Sequence, residues 1–102
     1  MKIVRVTYTT KAAYAAQNQS NIKSVMNDLR KLNHPGINYN SCLSPDGKTF
    51  THTAFFRSDE DETVLQQLPA FKQFQEQLKS SGPEVPPKQE FLTLVGSSKD
   101  VF

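Results

Sequence analysis

A histidine in an otherwise apolar and β-branched run is the first residue with chemical potential. His52 shares a predicted strand face with Phe50 and Phe56. The ordinary pKa of an imidazole, near 6.5, suits proton transfer at neutral pH. The sequence therefore leaves two roles open for His52: a hydrogen-bonded structural group, or a general base directed into a cavity.

Two further polar residues fall where the predicted elements would bring them towards that face. Tyr39 lies on the neighbouring predicted strand, where its phenol either packs or donates to a bound oxygen atom. Asn18 lies on the apolar stripe of the first predicted helix, one turn before Ile22, so its amide needs a buried partner. We take His52, Tyr39 and Asn18 as the candidate catalytic set.

Three other residues are candidates for holding a substrate. Arg5 lies in the middle of the first predicted strand, where it binds an anionic substrate or pairs across a subunit interface. Phe56, on the His52 face, and Phe71, on the second helix, are the aromatic side chains expected to contact an apolar molecule.

Composition limits the classes of protein to consider. The chain has 102 residues with a net charge of +2, and 36% of its residues are hydrophobic, which indicates one globular domain over 1–102. Its basic residues are scattered singly and no apolar run is long enough to span a bilayer, so we expect neither a nucleic-acid nor a membrane partner. A single cysteine, Cys42, and an N-terminus without a signal-peptide core predict a cytoplasmic protein.

The elements that must position these residues can be read from periodicity. A β-branched run predicts a strand, apolar residues at steps of three and four predict a helix, and two alternating runs joined by Pro-Asp-Gly predict a hairpin. We expect a glycine in the left-handed region just after the first helix, at Gly36. The predicted ranges are Ile3–Thr9 for the first strand, Lys11–Asn33 for the helix, and Ile37–Leu43 with Thr49–Phe56 for the hairpin.

The second half of the chain predicts a broken helix and a final strand. Ser58 or Asp59 is expected to cap a helix that stops at Leu68, and Pro69 is expected to begin a new one. A stiff proline-rich bridge then leads into a last strand from Gln89 to Val95 and a tail. The order β-α-β-β-α-β predicts an α+β, ferredoxin-like sandwich: a four-stranded antiparallel sheet with both helices on one face.

The face of the sheet that the helices do not cover indicates that the chain binds a second copy of itself. Ile3, Phe55 and Leu92 are among the apolar residues expected on both strand faces, and two helices cover only one face. We therefore expect a homodimer in which a second sheet covers the open face.

Four segments of the chain resemble the dimeric α/β barrel proteins of the antibiotic biosynthesis monooxygenase type, in particular small uncharacterised members. Together the segments cover most of the chain. They are Asn18 with Ile22, Val25 and Leu29; Pro35-Gly36-Ile37-Asn38-Tyr39; Asp46-Gly47-Lys48-Thr49-Phe50-Thr51-His52; and Leu68-Pro69-Ala70-Phe71-Lys72-Gln73-Phe74.

The resemblance implies a fold and a dimer, with several chemistries open. Members of that superfamily oxidise aromatic or quinol substrates with O2 and no cofactor, degrade haem, or have no known activity. The haem-degrading members use a tryptophan that distorts the macrocycle and a histidine on the second helix as iron ligand. This chain has no tryptophan and no histidine on its second helix, so the resemblance does not imply haem degradation. We expect no cofactor and no metal, and either a cofactor-independent monooxygenase acting on a small aromatic or quinol-like molecule or a non-catalytic ligand-binding or structural dimer.

Overall fold

The computed structural model describes all 102 residues, Met1–Phe102. A short 3-10 turn at Ala12–Tyr14 leads into the first helix, and the chain forms four strands and three helices in the order β-α-β-β-α-α-β. Their bounds are β1 Lys2–Thr9, α1 Ala15–Leu32, β2 Ile37–Leu43, β3 Thr49–Phe56, α2 Asp59–Gln67, α3 Pro69–Ser81 and β4 Val85–Leu92.

The strands form one antiparallel sheet in the order β2-β3-β1-β4. This confirms the predicted α+β, ferredoxin-like arrangement. Along β3 every second residue is buried, from Phe50 through His52 and Ala54 to Phe56, because these side chains point towards the helices. The even-numbered side chains of β1 pair with them in register and face the same layer.

The core lies between the sheet and the helices. Tyr8 and Phe50 are 1% exposed and stack with ring centroids 5.5 Å apart. The remaining core residues are aliphatic or aromatic side chains from all the helices and from β1 and β3: Val4, Ala15, Ile22, Val25, Ala54, Phe56, Leu65, Phe71, Phe74 and Leu78.

The end of α1 differs from the prediction in which residue takes the left-handed conformation. Asn33 follows the helix with φ 48° and its N–H donates to the Leu29 carbonyl. Asparagine tolerates this region better than most residues, so it replaces the expected glycine. Gly36 has no positive φ, but a Cβ there would displace the carboxylate of Asp61.

The break between α2 and α3 follows the prediction. The Ser58 hydroxyl accepts the N–H of Asp61 at 3.4 Å and caps α2. Leu68 is extended, and Pro69 is the first residue of α3, where a missing N–H costs nothing.

The predicted bounds of the last strand are wrong. β4 begins at Val85 and ends at Leu92, so it includes Pro86 and Pro87 and excludes Val95. It is an edge strand that pairs only with β1, and an edge tolerates proline because one side of the strand needs no partner. The register shifts between Thr7 and Thr9, beside these prolines.

The face of the sheet away from the helices is less apolar than predicted. Phe50 and Phe56 belong to the helix face, and the open face of β1 and β3 carries a row of threonines, including Thr51 and Thr53. Its apolar part is confined to one end, where Ile3 pairs in register with Phe55 on one side and Leu92 on the other.

None of the helices is both long and apolar enough to cross a membrane.

Candidate functional site

Four polar side chains form a continuous hydrogen-bonded chain between α1 and β2. The Asn18 Nδ2 donates to the Tyr8 hydroxyl at 2.8 Å, and that hydroxyl lies 2.7 Å from His52 Nε2. The other ring nitrogen, His52 Nδ1, lies 2.7 Å from the Tyr39 hydroxyl. Asn18, Tyr8 and His52 are all buried, whereas Tyr39 is half-buried.

The register of the sheet explains why these residues meet. Tyr8 lies opposite Phe50, and His52 lies two residues further along β3, within reach of a long side chain on the same face. Tyr39 on β2 lies opposite Ala54, so the small alanine leaves room for its ring to lean towards His52. Asn18 reaches the sheet from the buried stripe of α1.

The orientation of the Asn18 amide determines the tautomer of His52. Because Asn18 donates to Tyr8, the Tyr8 proton is free to go to His52 Nε2, and the ring then carries its hydrogen on Nδ1 and donates it to Tyr39. In the other tautomer the buried Tyr8 hydroxyl would accept twice and its own proton would have no acceptor, at a cost of about 1–3 kcal/mol.

This assignment leaves one proton without a protein acceptor. The Tyr39 hydroxyl accepts from His52, and no other protein atom hydrogen-bonds to it. At the opposite end of the chain, the buried Oδ1 of Asn18 also accepts nothing from the protein. Successive hydrogen bonds polarise one another in a low-dielectric interior, so the Tyr39 O–H is a stronger donor than an isolated phenol.

Burial controls the charge states of the network. It lowers the pKa of His52 from 6.5 to about 4, so the ring is neutral at pH 7. It raises the pKa of Tyr8 and of Tyr39 above the ordinary value, so both phenols keep their protons. The network is therefore uncharged under physiological conditions and acts through hydrogen bonds.

Aromatic rings enclose the histidine. Phe74 lies 5.5 Å from the His52 ring centroid, and Phe71 meets the Tyr39 ring edge-on at 6.3 Å. Tyr8 stacks on the other side of His52 at 5.3 Å. These contacts exclude water from the imidazole and fix its orientation.

A cleft of about 720 Å³ runs between α1 and β2 and includes Tyr39 in its wall. Ile22 and Phe50 form the buried part of its apolar lining, and Met26 and Leu29 form the half-buried part. The volume is within the range of small-molecule sites. His52 does not line the cleft, so the network reaches the cleft only through Tyr39.

The six predicted site residues divide into two groups. His52, Tyr39 and Asn18 are brought together, and Phe71 packs against Tyr39. Arg5 and Phe56 lie elsewhere.

Arg5 is on the opposite face of the sheet, where its Nη2 lies 3.2 Å from Glu90 Oε1. Phe56 is a core residue with 2% of its surface exposed, and it does not line the cleft. The structure therefore gives neither residue a place beside Tyr39.

Sequence reasoning missed Tyr8, which joins Asn18 to His52. Its signal was present in the alternation of β1, since Tyr8 shares a face with Val4 and Val6. A tyrosine in a strand is usually explained by packing alone, so the pattern does not indicate a partner for its hydroxyl.

No group of three or more histidine, cysteine or carboxylate side chains converges to hold a metal ion. The two histidines serve separate sites: His34 accepts the Gly36 N–H through Nδ1 and faces Asp61 through Nε2.

Comparisons with known proteins define the fold. The chain matches no family model, and no curated protein matches it in sequence. Among solved structures, an antibiotic biosynthesis monooxygenase superposes with a TM-score of 0.78 at 9% identity, covering 94% of this chain and 100% of that one. A candidate antibiotic biosynthesis monooxygenase from Bacteroides thetaiotaomicron gives 0.80 at 12% identity, covering 97% and 94%.

A third neighbour has a described activity. SnoaB from Streptomyces nogalater, a cofactor-independent oxygenase, superposes with a TM-score of 0.69 at 13% identity, covering 97% of this chain and 98% of that one. At such low identities the similarity establishes architecture alone. The chain thus has the ferredoxin-like fold of the antibiotic biosynthesis monooxygenase-type proteins.

Proposed function

We propose that the cleft between α1 and β2 binds a small aromatic molecule and that the Tyr39 hydroxyl donates a hydrogen bond to its oxygen atom. The single observation that carries this proposal is the chain of donation from Asn18 through Tyr8 and His52, which ends on a Tyr39 proton with no protein acceptor. A buried network whose last residue lines a cleft is suited to bind a carbonyl or phenolate oxygen there.

The chemistry we propose is cofactor-independent monooxygenation of an electron-rich phenol or quinol. A hydrogen bond from Tyr39 stabilises the substrate phenolate and so favours loss of the phenolic proton. The phenolate gives up electrons to O2 more readily than the neutral phenol does. In the overall reaction a ring C–H becomes C=O and the phenol becomes a quinone, while the second oxygen atom leaves as water. The described activity of SnoaB, which has the same fold, supports this reaction class.

In this proposal His52 is a positioning residue and not the general base considered from the sequence. Both ring nitrogens already bond to tyrosines, and a pKa of about 4 makes the imidazole a weak base towards a phenol. The phenolic proton of the substrate therefore passes to water in the cleft. His52 orients the Tyr39 hydroxyl and polarises it.

Oxygen uptake by the wild-type protein tests the reaction class. We expect uptake with at least one member of a panel of anthrones, naphthols and quinols, and incorporation of one atom of ¹⁸O2 into the product. Turnover without added flavin, haem or metal, and unchanged after chelation, is the expected result. Uptake that appears only with an added cofactor would contradict it.

A second candidate function is ligand binding without turnover. It is favoured by one observation, that no unengaged base contacts the cleft next to Tyr39. A ligand that binds at the cleft, protects the protein from unfolding and is recovered unchanged under O2 would favour this function over catalysis.

We also propose a homodimer formed through the open face of the sheet, in a reducing compartment such as the cytoplasm. Five of the nine exposed large hydrophobic side chains lie between residues 91 and 102, and Leu92 adjoins the apolar end of the open face. A second copy presents the same apolar end and the same threonine rows. The single exposed thiol, Cys42, supports the compartment.

A further inference from the structure

The lining of the cleft is asymmetric in charge. Its 19 residues include the cations Lys23 and Arg30 but no aspartate or glutamate. Neither cation has a carboxylate within ion-pair distance, although other lysines and Arg5 do. The cleft therefore combines an apolar interior with unpaired positive charge on its exposed side.

The two cations are placed to act together. They lie seven residues apart on α1, which is two helical turns and about 10 Å along the axis. A group bound midway, over Met26, lies about 5 Å along the axis from each, within the length of either side chain. Met26 lines the cleft between them.

The opposite wall includes Tyr39, whose hydroxyl is bonded to His52. The apolar part of the lining includes Ile22, Met26 and Phe50. A molecule that complements the cations, the apolar lining and the Tyr39 hydroxyl has a flat apolar body, an oxygen acceptor at one end and an anionic group at the other.

We infer that the ligand is an aromatic hydroxy acid, with its phenolic oxygen at Tyr39 and its carboxylate between Lys23 and Arg30. The inference rests on the proposed function, because it names the substrate class of the same cleft. Two surface cations add a modest amount of affinity, because exposed ion pairs are weakened by water and salt. Their contribution corresponds to about a 3- to 10-fold preference for the acid over a neutral molecule of the same shape.

A matched pair of fluorescent probes tests the charge preference. 6-Hydroxy-2-naphthoic acid and 6-hydroxy-2-naphthamide have the same ring and hydroxyl and differ in charge. We expect the acid to bind about 3- to 10-fold more tightly in low salt and the difference to disappear in 0.5 M salt, an ionic strength well above about 0.1 M, where screening is already substantial.

Charge-removing variants identify the cations responsible. Lys23→Gln with Arg30→Gln should reduce binding of the acid to the level of the amide and leave the amide unchanged. Lys31→Gln is the control, since Lys31 is an exposed neighbour of Arg30 on α1 that does not line the cleft. It should leave both affinities unchanged.

The outcomes separate this inference from the proposed function. Equal affinities for acid and amide in the wild type, or a preference that survives the double substitution, would overturn the anionic class while the cleft remains a ligand site. Binding of neither probe would overturn both. An acid preference lost only in the Lys23 and Arg30 variants supports the inference.

Discussion

The Tyr8 hydroxyl and His52 Nε2, from residues 44 positions apart in the chain, lie 2.7 Å from each other inside the core. This contact joins Asn18, the polar side chain that α1 buries, to the hydroxyl of Tyr39, a β2 residue that lines the cleft. Tyr8 on β1 thus links side chains from α1, β3 and β2 into one network. The ligand chemistry we propose depends on that continuity.

Replacing Tyr8 by phenylalanine should destabilise the protein more than its small change in size suggests. The change leaves the Asn18 amide and His52 Nε2 without partners in the core, at a cost of about 1–3 kcal/mol. Urea denaturation measures the loss. The control is Tyr14→Phe, because the half-buried Tyr14 accepts only a long hydrogen bond from Asn21, at 3.4 Å. Equal stability of the two variants would show that the Tyr8 hydroxyl is not part of a stabilising network.

The His52 ring should carry its hydrogen on Nδ1. This tautomer follows from the direction of donation that begins at Asn18. ¹⁵N spectra of histidine-labelled protein distinguish a protonated from an unprotonated ring nitrogen at neutral pH. A buried ring protonated on Nε2 would reverse the direction of the network and leave Tyr39 as a donor to His52 instead of to a ligand.

Stability should fall as the pH is lowered from 6.5 towards 4. The folded pKa of His52 is about 4 and the unfolded value is 6.5, so the unfolded state binds more protons in this window and the free energy of unfolding decreases with falling pH. The full shift in the His52 pKa corresponds to about 3 kcal/mol in the free energy of unfolding. His52→Gln removes the titrating group, so this part of the pH dependence should be missing in that variant. Parallel pH profiles for the two proteins would contradict the assignment.

The open face of the sheet should hold two copies together. A charge introduced at its apolar end, Leu92→Glu, should convert a species of twice 11.5 kDa into one of 11.5 kDa, as measured by light scattering at micromolar concentration. Gln75→Glu adds the same charge at an exposed position on α3 and should leave the mass unchanged. A wild-type protein that is monomeric at these concentrations would contradict the dimer.

The fold was predictable because local patterns agreed with the tertiary arrangement. The alternation of β3 and the stripe of α1 predicted which faces are buried, and Pro69 identified the break between the two later helices. The last strand was mispredicted because proline usually argues against a strand. Only the pairing of the chain shows that Val85–Leu92 lies at an edge where proline is tolerated.

Three residues of the candidate site could be predicted from the sequence, but the hydrogen bonds that connect them could not. Periodicity placed His52, Tyr39 and Asn18 towards one layer, and the structure brings them together. Periodicity could not show that Tyr8 links these residues, because side-chain hydrogen bonds between residues far apart in sequence leave no local pattern. The sequence pattern also could not show that Arg5 forms an ion pair with Glu90 on the adjacent strand.

Oxygen uptake by Tyr39→Phe, compared with wild type on the same phenolic substrate, tests the central claim most directly. The substitution keeps the ring, its edge contact with Phe71 and the cleft wall, and removes only the hydroxyl that His52 holds. If that hydroxyl stabilises the substrate oxyanion, turnover should fall about 10²- to 10³-fold while thermal unfolding shows a protein that is still folded. Unchanged turnover in Tyr39→Phe would contradict the account.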